Sequence, residues 1–325
     1  MARYWFFVFL VVAFGSSVAA QTTHVRVPSD AAATHLKSSP APEYPPLAQA
    51  ARIQGNVILQ ISIDPSGSVS TLRVVRGHPM LVQAAIAVVR NWKYAPFELN
   101  GQPVSAVTLV VVRFGNPANH DVEDKAEVVF QDKFWAAMDR AQTALNASNL
   151  SETEQALQNA HTLLSSAAPA PQHVSEHWQW AMSMGALDRK QKRFGDAEQQ
   201  YTDALSLQKD HKDSPEAAAS LSAIGVLYFE SNKPELARDR LQKAVSIYQK
   251  NYKAAVTMPS AQDVYSRAIA EDSWMLAKIA VSAHQPEEAG RQCHVVLNVR
   301  KSLGDNDPKV TECERLLSPP TTTVP

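Results

Sequence analysis

The chain is poor in glycine and cysteine and carries no excess charge of either sign. Eleven glycines and two cysteines stand among 325 residues, and 31 Lys and Arg oppose 32 Asp and Glu for a net charge of −1. Without a basic excess the composition offers no footprint for nucleic acid. Two cysteines, Cys293 and Cys313, are too few for a disulfide-dense scaffold or a four-thiolate metal site. G-x-S-x-G, P-loop and G-x-G-x-x-G patterns are all missing, so serine-hydrolase, nucleoside-triphosphate and dinucleotide chemistry lack their usual supports. Apolar runs are short too. The longest, Trp5 to Phe14, is about half of the ~20 residues that a spanning helix needs.

That run is informative for its flanks. Arg3 precedes it, and Gly15-Ser16-Ser17-Val18-Ala19-Ala20 follows with small residues suited to cleavage. Residues 1–20 therefore read as a signal peptide cut after Ala20, with an uncleaved membrane anchor as the alternative and the chain's one expected membrane contact. Export would permit a bridge between Cys293 and Cys313, contributing ~3 kcal/mol if unstrained. The other reading is two buried thiols acting as small hydrophobes. Residues 21–43 are polar and rich in Ala, Ser and Pro, and read as a linker.

Residues 44–115 have the pattern of a small α+β unit. Val57, Leu59, Ile61 and Ile63 alternate with Ile58, Gln60, Ser62 and Asp64, the period of a half-buried strand. Asp64-Pro65-Ser66-Gly67 turns the chain into a return strand at about Val69 to Val75. Gly77-His78-Pro79 breaks it, with His78 as a cap or turn residue. A helix follows toward Pro96, with Leu81, Ala85, Val88 or Val89, and Trp92 on one face. Asn100-Gly101 then leads into a strand, Val104–Phe114. Val104, Ala106, Thr108, Val110, Val112 and Phe114 share one face, and Val107, Leu109 and Val111 make the other face apolar as well. A strand apolar on both sides needs cover. Helix 44–52 would supply it, or else a partner, the helical region or a second copy of the chain.

This order of elements, with Tyr44, Pro45, Gly55, Gly67, Gly77, Ala84, Ala85, Trp92, Pro96, Asn100, Gly101 and Pro103 in place, resembles the C-terminal domain of TonB-family energy transducers of Gram-negative bacteria. The resemblance implies a periplasmic location and a sheet edge that accepts a receptor peptide by strand addition, with an outer-membrane receptor as the partner. The edge would be the last strand, through Val104, Ala106, Thr108, Val110 and Val112. Two features depart from the family. Trp5–Phe14 has no His to contact a proton-driven motor, and the linker is too short to serve as a long Pro-rich spacer.

From Glu123 onward Ala, Leu, Gln and charged residues dominate, and the pattern repeats. Gly185, Ala197, Tyr201 and Ala204 recur forty residues later as Gly225, Ala237, Leu241 and Ala244, with Tyr228 beside Gly225. Small residues at these places let antiparallel helices touch. The pattern resembles tetratricopeptide repeats over 123–317, with degenerate outer copies keyed by Ala156 and Ala289. Residues 318–325 read as a disordered tail.

His173-Val174-Ser175-Glu176-His177 matches the H-x-x-E-H of inverted zinc peptidases, with His173 and His177 as ligands and Glu176 as base. It sits at the start of a repeat helix without a marked third ligand, and the plainer reading is a solvated first turn. Trp178 and Trp180, just after it, read as core. No cofactor is expected. The leading expectation is a non-enzymatic envelope adaptor that binds proteins or peptides at the strand edge and in a repeat groove. An energy transducer and a zinc peptidase are the alternatives.

Overall fold

The structure, a computed structural model, describes residues 24–115, 121–167, 173–255, 259–299 and 307–317. The leader 1–20 and the tail 318–325 lie outside the described residues. Two compact units divide at Arg140/Ala141, well past the boundary at 115–123 that composition suggests.

The first unit is a mixed sheet with helices on both faces. In chain order it holds β1 (His24–Arg26), α1 (Ser29–Thr34), β2 (Leu36–Ser38), α2 (Pro46–Ala50), β3 (Gly55–Ile63), β4 (Val69–Arg76), α3 (Pro79–Val89), β5 (Lys93–Tyr94), β6 (Phe97–Leu99) and β7 (Gln102–Phe114). The first twenty residues of α4 (Asp121–Asn146) complete it. The strand order is β1-β7-β3-β4. β7 runs antiparallel to β3 from Ala106 to Phe114, and β1 runs parallel to β7 at Ser105 to Val107. β6 pairs with β7 only at Gln102 to Val104.

Two elements differ from the sequence reading, for one reason. The stretch 21–43 is not a plain linker, since it holds β1, α1 and β2. The helix toward Pro96 stops at Val89, because Lys93–Tyr94 pairs as a strand with Leu36–Ser38. Both are three-residue or shorter pairings whose partners lie far away in sequence, so local composition carries no trace of them. Gly67 fixes where β5 lies. Its φ is +84°, and a Cβ there would stand 2.1 Å from the Tyr94 carbonyl oxygen. Only glycine lets the Asp64–Ser68 turn close on β5. His78 caps α3, its Nδ1 accepting from the Met80 N–H at 3.3 Å.

One face of the sheet carries Val57, Leu59, Ile61 and Ile63 of β3 with Ala106, Val110, Val112 and Phe114 of β7. They pack on Leu81, Ala85, Val88 and Val89 of α3 and on Trp92, and Ala48 of α2 joins the same cluster. Helix 44–52 therefore lies on this face, not on the second one as the sequence allowed. The second face, with Ile58, Val107 and Leu109 buried, lies under α4. The Arg73 guanidinium of β4 and that of Arg26 stack on Trp135 at 5.1 and 5.6 Å. Gln131, Phe134 and Met138 form the buried helix face beside it.

The second unit is all helical: the end of α4, then α5 (Leu150–Ser166), α6 (Val174–Lys190), α7 (Phe194–Ser206), α8 (Pro215–Glu230), α9 (Pro234–Ala254), α10 (Pro259–Ser282), α11 (Pro286–Asn298) and α12 (Pro308–Leu317). Four turns share one geometry. Ser148, Lys192, Asn232 and His284 adopt φ of 57°, 60°, 59° and 55°. The N–H groups of Asn149, Arg193, Lys233 and Gln285 close back on the carbonyls of Ala144, Asp188, Tyr228 and Ala280 at 2.8 to 2.9 Å, the Schellman closure that reverses a helix. Counting from these turns aligns the packing positions. Ala141, Gly185, Gly225 and Ala277 are the small residues of the first helices. Thr153, Ala197, Ala237 and Ala289 open the second helices. Leu157, Tyr201, Leu241 and Cys293 follow, then Ala160, Ala204, Ala244 and Val296, and all of these are buried. The key of the upstream copy is thus Thr153, three residues before the Ala156 read from sequence. Cys293 is bridged to Cys313 of α12 with a Cα–Cα distance of 5.0 Å, within a cluster that includes Ala277 and Val296.

The close approach at the repeat glycines is testable. A Cβ on Gly185 would meet the Tyr201 ring at 2.5 Å, and one on Gly225 would meet Leu241 at 2.7 Å and the Ala237 carbonyl at 3.2 Å. Gly225→Ala is expected to cost about 1–3 kcal/mol by overpacking. Gly185→Ala should cost at least as much, since its Cβ would meet a buried ring at the shorter distance. Urea unfolding followed by circular dichroism measures both.

Candidate functional site

The strand predicted to bind a partner lies in the interior of the sheet order. Of its five expected contact residues, Ala106, Thr108, Val110 and Val112 are buried and Val104 is half-buried. Their side chains point into the α3 face. The Thr108 hydroxyl ends there with no hydrogen-bond partner. The backbone groups of the four buried residues belong to the β3 ladder, in which Thr108 pairs with Ile61 and Val110 with Leu59, whereas Val104 pairs with Phe97 of β6.

The outward backbone of β7 belongs to the other set of residues. The Val27 N–H donates to the Val107 carbonyl at 2.9 Å, so Val107 turns its backbone away from β3. By the two-residue alternation of a strand, Leu109 and Val111 do the same. β1 takes this edge only at Ser105 to Val107. Beyond it, no described strand pairs with β7 on that side. The open edge is thus carried by Leu109 and Val111, residues that side-chain patterning assigned to the second face. The missed signal was not in the sequence: which edge stays open depends on where β1 lands.

β1 is held by α4. Arg26 Nε donates to Asp139 Oδ2 at 2.7 Å, and the Ser29 N–H and hydroxyl both donate to Asp132 Oδ2 at 3.2 Å. Burial pushes the Asp132 carboxyl up, against those two hydrogen bonds, which pull it down. Asp132 and Asp139 belong to the same helix as Trp135, on which Arg73 stacks.

In the helical unit the eight expected packing residues all lie at helix contacts: Gly185 on Tyr201, Gly225 on Leu241 and Ala237, and Ala197, Ala204, Ala244 and Tyr228 buried beside them. They build the repeat and offer no free surface. The Tyr228 hydroxyl donates to Glu198 at 2.6 Å. Trp178 and Trp180 tie α6 to its neighbours through their indole N–H groups, to Ser220 Oγ at 2.9 Å and to the Leu157 carbonyl at 3.0 Å. His173 and Glu176 are buried at the start of α6, with Ser175 Oγ donating to Glu176 at 2.8 Å. Among the described residues no group of three His, Cys, Asp or Glu side chains is arranged to hold a metal. Arg238, Gln242, Gln285, Glu288 and Arg291 line an open groove of about 510 Å³ at the starts of α9 and α11. Its two arginines are paired, Arg238 with Glu235 and the Gln285 amide oxygen and Arg291 with Glu288.

Sequence reading did not anticipate a buried acidic layer in the same unit. Burial raises Asp272 to about 8, although Ser222 donates to it, and raises Glu216 to about 7. Asp272 Oδ2, Glu216 Oε1, the Tyr248 hydroxyl and Ser273 Oγ are all buried with no protein partner.

Residues 40–115 match the family model for the Gram-negative bacterial TonB protein C-terminal, and residues 179–250 match that for the tetratricopeptide repeat. Among characterised relatives, Protein TonB of Xanthomonas campestris pv. campestris is 35% identical over 80 residues, 24% of this chain and 36% of that protein. Protein tonB2 of Pseudomonas aeruginosa is 40% identical over 60 residues, 18% of this chain and 22% of that protein. The chain therefore spans about a third or less of the length of these relatives. The crystal structure of BtubC (BKLC) from P. vanneervenii aligns with a TM-score of 0.47 at 13% identity, covering 61% of this chain and 77% of that one. In sequence order, then, a TonB C-terminal domain precedes tetratricopeptide repeats.

The acidic layer sets a pH dependence. Asp272 and Glu216 hold their protons more tightly folded than unfolded. Their contribution is complete below the unfolded carboxylate range near 4 and is lost as pH rises through about 7 and about 8. Urea midpoints at pH 5.5 and 8.5 should show the wild type weaker at the higher pH. Asp272→Asn should narrow that gap by an amount on the order of a few kcal/mol.

Proposed function

We propose that this chain is a non-enzymatic protein of the Gram-negative envelope that binds extended protein or peptide segments by adding them as a strand to the Leu109–Val111 edge of β7. The helical repeats serve as a second protein-binding surface. One observation carries the reading: in a domain matched to the TonB C-terminal family, the last strand keeps an outward backbone edge beyond Val107 with no strand on it among the described residues. Backbone pairing would supply affinity there, and the flanking side chains selectivity. A receptor of the outer membrane fits the family match and a periplasmic location. A second copy of the chain, forming a homodimer, is the competing occupant.

The relatives named Protein TonB also favour a second reading, energy transduction from an inner-membrane motor. The two readings part at the leader. A mature protein beginning at Gln21 would remove the anchor that force transmission needs, so N-terminal sequencing of the protein from envelopes separates them.

A photoreactive residue at Val111 in intact cells tests the edge. It should capture an envelope protein. Capture of this chain's own helices alone would overturn the proposal. Thr108 is unsuited to the experiment, being fully buried. With the photoreactive residue moved to Arg113, the next outward position and an exposed one, Val111→Pro removes one outward N–H and should abolish capture with the fold kept, because proline is tolerated where a strand's N–H faces outward. Val112→Pro instead breaks the β3 ladder and should unfold the unit, read by circular dichroism.

A further inference from the structure

We infer that β1 is a built-in occupant of the partner edge, and that Arg26 and Ser29 latch it closed; this rests on the strand-addition reading of β7. The segment His24–Val27 adds to the outward edge of β7 as a strand, which is the interaction proposed for a partner. It covers Ser105 to Val107 and stops. Pro28 follows, with no N–H to give and its φ fixed near the first turn of α1. In parallel register the next N–H, that of Ser29, would reach the Leu109 carbonyl. It donates instead to Asp132 on α4, and so does the Ser29 hydroxyl.

The chain thus leaves the edge halfway along, drawn off by side chains of one helix. Arg26 adds the second half of the latch, bonded to Asp139 at 2.7 Å and seated on Trp135. A partner strand meets no described strand at Leu109 and Val111, although α1, which follows Pro28, also packs against β7. To pair along the whole edge from Ser105, it must displace β1. A three-residue strand contributes few backbone hydrogen bonds, but its tether gives it a high local concentration. Closure lowers the apparent affinity of any incoming strand by the fraction of chains that are open.

The experiment compares the full chain with the Arg26→Ala/Ser29→Ala variant, using a fluorescein-labelled hexapeptide of the β1 sequence, His-Val-Arg-Val-Pro-Ser, as the probe. Asp132, Trp135 and Asp139 are untouched in the variant and remain available to the peptide. Fluorescence anisotropy should show binding to the variant at least about tenfold tighter than to the full chain, as expected if a tenth or less of the full chain is open. Hydrogen exchange at the Val107 amide should accelerate in the variant without peptide and slow again with it. Equal peptide binding by the two proteins overturns the proposal. So does a folded variant that binds no peptide, or one whose Val107 amide stays as protected as in the full chain. Because the probe is the chain's own segment, the result stands apart from the cell experiment. Failure to capture an envelope protein at Val111 would remove the function, whereas failure here removes only the latch.

Discussion

The first unit depends on the burial of β7 from both sides. A strand without a polar face cannot end a structure; both surfaces must be covered before the backbone between them is stable in water. Here α3, α2 and Trp92 cover one side and the part of α4 up to Arg140 covers the other. Each further feature of the unit follows from that second cover. Trp135 is where it is because it roofs the sheet. Arg73 and Arg26 stack on it because a guanidinium can lie flat on an aromatic ring while its edge stays hydrogen-bonded. Asp132 and Asp139, on the same helix, then capture the N-terminal segment.

Elements built from local signals were legible in the sequence. β3, β4, the turn at Asp64–Ser68, the cap at His78 and the repeat pair keyed by Gly185 and Gly225 all appear near their expected places, because periodicity, turn chemistry and small-residue spacing act over a few residues. The two-sided apolar character of β7 was also readable, as was its need for cover. What covers it was not, since the choice between α2 and α4 is a matter of long-range packing. The same limit hid β1, β2 and β5. Pairings of two or three residues have no period to detect, and the Ala, Ser and Pro around them read as linker.

The candidate site shows this limit most clearly. Patterning singled out the side chains of Val104, Ala106, Thr108, Val110 and Val112, yet strand addition is a property of backbone groups, and all but Val104, which pairs with β6, spend theirs on β3. The outward set is offset by one residue, and its open part is whatever β1 leaves. In the repeats the limit was one of spacing. The turns at Ser148, Lys192, Asn232 and His284 are separated by 44, 40 and 52 residues, so one period aligns only the central pair; Ala289 is found from its local Pro286-Glu287-Glu288 signal, and the upstream key is read three residues late. The long α9 and α10 push the last copy out of register, and Cys293 there stands where its counterparts are Tyr201 and Leu241.

The reach of α4 has a consequence for how such chains arise. The stretch that matches the TonB C-terminal family model ends at 115, whereas the stretch that folds with it runs to Arg140. A gene fragment cut at the first boundary would travel with one bare apolar face. It could settle only beside a segment already able to roof it. Here the helix that roofs the sheet runs on without a break to Asn146, so a cut at either boundary would leave one of the two stretches incomplete.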